Sequence, residues 1–301
     1  MRPSARVVTL PGPIALRRTL GREKILGIDP TQRRVERSIV CAFRTEEGPA
    51  TVQYQKVADD RVEVLAWGPG AEGALAGAPE HLGAGDHPER FAPDHPLLGP
   101  LAARHGGIRF GATRRVIDHL VPAIIGQKVT GKGASRSYRE LVQKHGEPAP
   151  GPFERLRIAP HPDRYRELAY FDFHPFGVER KRAQVILDVT RRARRLEALV
   201  HDPRELERRL LAFVGIGPWT TALVLSLACG DADAVPVGDY HLKNVVVHAL
   251  TGRARGTDEE MVELLEPFRP HRGRAIALIA ASGVSPPRFG PRMPVRDIRG
   301  Q

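Results

Sequence analysis

The feature that most constrains this chain is a pair of glycines inside an apolar run, Phe213-Val-Gly-Ile-Gly-Pro-Trp-Thr-Thr-Ala-Leu223, followed closely by Pro236-Val-Gly-Asp-Tyr-His-Leu-Lys243. Leu206, Leu210 and Leu211 lead into Gly215-Ile-Gly217, and an apolar helix is expected from Trp219. Two glycines around one isoleucine permit a tight reversal between helices, with Ile216 anchoring the turn in the core. The free amides at the start of the second helix then point outward with the helix dipole, a geometry that favours an anion. A Gly-X-Gly turn alone is a weak signal, because most such turns only join helices. Asp239 precedes Tyr240-His-Leu-Lys-Asn-Val-Val-Val-His-Ala-Leu250, an apolar-periodic segment. Aspartate there is first of all a helix cap, although the same carboxylate suits a cation placed opposite it.

The first ninety or so residues read as β-rich. Ser38–Thr45, Thr51–Val57 and Arg61–Trp67 are short and rich in β-branched and aromatic residues, with turns at Glu46–Pro49 and Ala58–Asp60. Close spacing of this kind predicts an antiparallel meander, ended by Gly68-Pro-Gly. Gly77 to Pro96 reads as loop, and the domain boundary is placed there. Beyond it Val116, Leu120, Ala123 and Ile124 share a helix face. Pro122 predicts either a kink in that helix or the start of a second one. Val185, Val189 and Leu196 predict a further helix with arginines near its end. Asp202-Pro203 opens one through Leu211, and Thr257-Asp-Glu-Glu260 opens another. The expected organisation is α+β: a small antiparallel β-sheet domain over 1–90, an all-helical domain over 91–285 and an irregular tail over 286–301.

Charge narrows the partners. Lys and Arg total 46 against 35 Asp and Glu, a net +11 that favours a polyanion. Only Cys41 and Cys229 occur, both in apolar surroundings, so buried free thiols are expected rather than a disulfide, and no zinc or iron–sulfur ligand set is available. No run approaches the ~20 apolar residues of a membrane span, and no leader-like run is seen at the N-terminus. A cytoplasmic, nucleoid-associated place is expected.

The hairpin from Leu210 to Thr220, with Val235-Pro-Val-Gly-Asp-Tyr240, resembles the hairpin, Gly/Pro-rich loop and aspartate of the helix-hairpin-helix DNA glycosylase superfamily. Within it the resemblance is greatest to the bacterial 3-methyladenine DNA glycosylase II group. Ile124-Ile-Gly-Gln-Lys-Val129 resembles the segment bearing that group's base-stack probe, and Gly177-Val-Glu-Arg-Lys-Arg-Ala183 the loop before its next helix. The likeness covers roughly Leu97 to Ala281, and the β-rich front more loosely.

The resemblance implies a monofunctional base-excision glycosylase. It would flip an alkylated purine of the 3-methyladenine type out of duplex DNA and hydrolyse its N-glycosidic bond. Asp239 would be the catalytic carboxylate. Trp219, standing where backbone-cutting members carry a lysine, would line the base pocket with Tyr240 and Gln127. Gly215, Ile216, Gly217 and Lys128 would meet DNA, Lys128 taking the place of the family's apolar wedge. Further pocket aromatics are replaced by Leu223 and approximately Ala280. No cofactor is implied as required, but the backbone carbonyls of Leu211, Phe213 and Ile216 would hold a monovalent cation beside the phosphate. The partner would be double-stranded DNA with damaged bases, met by a monomer. The alternatives are a non-catalytic damaged-DNA-binding protein and a glycosylase for deaminated or oxidised bases.

Overall fold

A computed structural model describes residues 2–287 of the chain. The front half builds a five-stranded antiparallel sheet from β1 (Ser4–Thr9), β2 (Gln32–Val35), β3 (Ser38–Thr45), β4 (Gly48–Lys56) and β5 (Arg61–Trp67). Its order is β1-β5-β4-β3-β2, so β2 to β5 form the meander and β1 closes the far edge. Val62, Val64 and Ala66 of β5 point inward with Val52 and Tyr54 of β4, against α1 (Leu16–Gly21) and α2 (Ala71–His81). In β3 both faces are buried. Ile39, Cys41 and Phe43 meet that cluster. Val40 and Ala42 meet Leu156 and Ile158 on the other side, hence a continuous apolar run in place of alternation.

Two expectations need correction here. Helix α2 runs to His81, so the segment from Gly77 is not loop from its start. Pro79 lies inside it and cannot donate to the Leu75 carbonyl; Arg6 Nη1 of β1 donates to that oxygen instead, at 3.0 Å. The turn before β4 is also shorter than read, since pairing already begins at Gly48 opposite Thr45.

The helices are α3 (Leu98–His105), α4 (Val116–Gly126), α5 (Gly131–His145), α6 (Pro162–Arg166), α7 (Arg180–Thr190), α8 (Ala193–Glu197), α9 (Pro203–Leu211), α10 (Pro218–Ala228), α11 (Leu242–Thr251), α12 (Asp258–Leu265) and α13 (Arg272–Ser282). A short ribbon, β6 (Glu147–Pro148) with β7 (Arg157–Ile158), interrupts them. Helix α4 continues through Pro122, so neither a new helix nor a break occurs there. The single helix read from Val185 to Leu196 is two, α7 and α8. The caps behave as the residue types require: Asp202 accepts from the Glu205 amide at 3.1 Å, and Thr257 from the Glu260 amide at 3.2 Å. Cys41 is buried, Cys229 is only half-buried, and both are free thiols. The irregular tail lies, beyond residue 287, outside the described residues. Among the described residues no helix is long and apolar enough to cross a membrane.

Two apolar clusters organise the helices. One holds α4, α5, α7, α9 and α10 around Leu120, Ile124, Leu141, Ile186, Leu210 and Val224. The other joins α3 to α11, α12 and α13 around Leu98, Val246, Met261, Leu265 and Leu278. Apart from Asp118 and His119, helix α4 is apolar, and it is almost wholly buried at the centre of the first cluster. Both its ends are satisfied by side chains of opposite charge. Glu197 accepts the amides of Val116 and Ile117 at 2.8 and 2.9 Å. Arg182 Nη1 donates to the Ile125 carbonyl at 2.6 Å.

Burial pushes the Glu197 carboxyl up to about 7 against the pull of the two amides. The folded chain therefore binds more protons than the unfolded one between pH 4.5 and about 7. In that window this group makes stability fall as pH rises. Glu197→Ala should lower stability by about 2–4 kcal/mol, because it orphans two buried amides, and should flatten that slope. Urea unfolding across the window checks both. A variant as stable as the parent would show that α4 is not held this way.

Candidate active site

The site forms where the two helical clusters meet. Helix α9 ends at Leu211, the chain reverses through Gly215-Ile-Gly217, and α10 begins at Pro218, whose missing N–H costs nothing in a first turn. Ile216 is buried in the first cluster, as the sequence requires of a turn anchor. Gly215 has φ +95°, and a Cβ there would lie 2.7 Å from Val185 Cγ2, so only glycine fits without strain. The hairpin tip is open to solvent: Val214 is 95% exposed. The amides of Gly215, Gly217 and Trp219 meet no acceptor among the described residues.

From α10 the chain doubles back along that helix. Asp233 accepts from the Arg272 amide at 3.1 Å, at the start of α13. The loop then reaches Gly238, with φ +94°, and delivers Asp239 to the first turn of α10. Trp219 Nε1 donates to Asp239 Oδ2 at 3.0 Å. The amides of His241 and Leu242 donate to Oδ1 at 2.8 and 2.9 Å. Asp239 is not the N-cap that its residue type suggests: α11 starts at Leu242 with His241 at the cap position, and Asp239, two residues ahead, holds the amides of both. Three donors on a half-buried carboxylate fix its plane and leave an edge towards solvent. Beneath it, Asp258 accepts from the Gly238 amide at 3.2 Å and from Lys243 Nζ at 3.0 Å, which steadies the loop.

Helix α4 supplies the third element. Gln127 Nε2 donates to the Gly215 carbonyl and to Thr220 Oγ1, both at 2.9 Å. Its amide therefore ties α4 to the hairpin. Lys128 follows, exposed and in the left-handed region at φ 54°. A methyl group placed on Gly126 would lie 3.6 Å from Trp219 Cη2 and 3.5 Å from Leu26 Cδ2. Gly126 of α4 thus lies close to both Trp219 and Leu26. Tyr240 is 80% exposed, its ring edge-on to His241. Asp239, Trp219, Gln127 and the hairpin form one connected group, while Tyr240 and Lys128 stand at its outer rim. Sequence reasoning had no signal for the Trp219–Asp239 bond or for Asp258 under the loop, since both depend on how the loop folds back.

No family model matches the sequence. The DNA-3-methyladenine glycosylase of Bacillus subtilis is 21% identical over 179 residues, 58% of this chain and 59% of that protein. The chain thus spans about three fifths of the length of such curated relatives. A 3-methyladenine DNA glycosylase from Archaeoglobus fulgidus superposes with a TM-score of 0.77 at 19% identity, covering 92% of this chain and 98% of that one. The 8-oxoguanine glycosylase/lyase of Clostridium acetobutylicum gives 0.70 at 16% identity, covering 93% and 98%. The overall fold is common to this chain and the two superposed structures. The chain thus shares the fold of these two DNA glycosylases and is similar in sequence to the Bacillus subtilis protein.

Proposed function

We propose that the chain is a monofunctional DNA glycosylase that hydrolyses the N-glycosidic bond of alkylated purines after flipping them from duplex DNA. The observation that carries this reading is the Asp239 carboxylate, held by three N–H donors within one helix turn of the hairpin. Departure of the base leaves positive charge on the sugar, and a fixed carboxylate facing it stabilises that charge in the transition state. Water then adds to C1′, and its proton leaves to the carboxylate or to solvent. An alkylated purine is already cationic, so it departs neutral with the bonding electron pair and needs no protonation.

Trp219 occupies the place at which backbone-cutting relatives carry a lysine, and here it orients Asp239. Lys243 is engaged with Asp258. Among the described residues no lysine is bonded to Asp239, and on this reading the product is an abasic site in an uncut strand. The partner is duplex DNA. The open amides of Gly215, Gly217 and Trp219 suit a phosphate, and Lys128 at the rim suits the gap or the backbone beside a flipped base. The net +11 adds sequence-independent, salt-sensitive affinity.

The carbonyls of Leu211 and Ile216 accept no backbone hydrogen bond among the described residues, and that of Phe213 accepts one, from the Ile216 amide. Free carbonyl oxygens at the end of α9 fit a monovalent cation bridging protein and phosphate. A monomer in the cytoplasm, close to the nucleoid, fits this task.

Incubation with dimethyl sulfate-treated duplex, with and without hot alkali, tests the proposal. Free base should appear, strand breaks should need alkali, and borohydride should trap no protein–DNA adduct. Breaks without alkali, or a trapped adduct, would refute monofunctional hydrolysis. No release of any base would refute the glycosylase reading.

A further inference from the structure

Most of α10 is buried, but Trp219, Leu223 and Ser226 are half-buried. Spacing of i, i+4 and i+7 puts them on one face, a stripe rising about 10 Å along the helix. Asp239 sits at one end, on Trp219. Arg22 sits at the other: its Nη2 donates to Ser226 Oγ at 2.6 Å. The guanidinium lies 3.5 Å over the Phe110 ring, and Arg274 of α13 lies 4.9 Å from the same ring. Arg22 therefore stands at the junction of α10 and α13. Leu26, four residues on, borders Gly126 beside Trp219, so the segment after α1 runs along the stripe from floor to mouth.

No carboxylate forms an ion pair with Arg22 among the described residues; Asp86 nearby is paired with Arg274. Burial, with Arg274, pulls the Arg22 guanidinium down to about 10, which leaves it charged at neutral pH. Placing such a cation inward with one side-chain acceptor is costly unless something else is meant to accept from it.

We propose that Arg22 and Ser226 form the floor of the base pocket and make it select purines carrying a 6-oxo group over purines carrying a 6-amino group. The inference rests on the glycosylase reading above, in which the glycosidic bond faces Asp239 and the far edge of the base faces Ser226. Arginine has five N–H donors and no acceptor, and Ser226, accepting from Arg22, keeps its own O–H to donate. The floor thus presents donors. A guanine-type edge presents O6 as acceptor, whereas an adenine-type edge presents an N6 amine that sets donor against donor. 7-Methylguanine keeps O6 and is admitted. 3-Methyladenine carries the amine and is the poorer substrate.

Dimethyl sulfate-treated DNA holds both bases, so one incubation gives both release rates above the enzyme-free background. Wild type should release 7-methylguanine faster than 3-methyladenine. Arg22→Met should cut the ratio of the two roughly ten- to hundredfold, Ser226→Ala should cut it less, and Arg22→Lys should hold part of it. A loss of folded protein lowers both rates together and leaves the ratio untouched; if Arg22→Met does not fold, Ser226→Ala and Arg22→Lys decide. A wild-type preference for 3-methyladenine, or a ratio unmoved by these variants, overturns the floor assignment. Release of neither base by wild type instead overturns the glycosylase reading.

Discussion

Asp239→Asn is expected to slow base release by about a thousandfold or more, a loss on the scale of removing a preorganised charge-stabilising group from a water-poor site. Asparagine is nearly the same shape, but it is uncharged and carries its own NH2. Its single carbonyl can satisfy the amides of His241 and Leu242 or the indole of Trp219, not both sets as the carboxylate does. Some stability should therefore be lost as well, about 1 kcal/mol for one compromised hydrogen bond. Binding to a duplex with a neutral abasic-site analogue should stay within a few-fold of wild type, because that ligand develops no charge on the sugar. Single-turnover release and binding to that analogue separate the two effects. If Asp239→Asn released base at the wild-type rate, the carboxylate would only tie down the loop ahead of α11.

Gly215→Ala should weaken duplex binding by roughly ten- to hundredfold, and should lower stability, with little change in the chemical step once DNA is bound. Two costs combine. At φ +95° an L-residue is strained, by about 1–2 kcal/mol. The new Cβ also meets Val185 Cγ2 at 2.7 Å, inside contact distance. Relief of either cost moves the turn, and with it the amides of Gly215 and Gly217 and the carbonyl that Gln127 holds. The second cost is separable, since Val185→Ala removes the opposing methyl. A double-mutant cycle on binding should recover part of the loss in Gly215→Ala/Val185→Ala. Anisotropy titrations with an abasic duplex give all four corners. Equal binding by Gly215→Ala and the parent would mean that this bend does not grip the strand.

What was legible in the sequence follows from how local each signal is. Strands β3 and β5 could be bounded to the residue because β-branched runs end at turn residues; α9 could be bounded, and the start of α12 placed, because Asp202 and Thr257 cap them. Strands β1 and β2 carry arginines and too few apolar residues to stand out, and pairing with a neighbour makes them strands. Helix α2 hid behind Pro79, whose missing hydrogen bond is replaced by Arg6 from another element. The same divide runs through the site. The Gly-Ile-Gly bend and Asp239 are local motifs and could be named in advance. The Trp219 bond to Asp239, the Gln127 tie to the hairpin and the Arg22–Ser226 floor join residues far apart in sequence. The loop that folds back after α10 and the packing of α1 and α4 against α10 bring these pairs together.

A crystal structure with duplex DNA bearing a cationic pyrrolidine abasic-site analogue tests the central claim most directly. The ring nitrogen should lie within about 4 Å of the Asp239 carboxylate, an ion-pair distance, with the adjoining phosphate on the amides of Gly215 and Gly217. A pyrrolidine seated away from Asp239, or a strand that passes the Gly-Ile-Gly bend without contact, would contradict it.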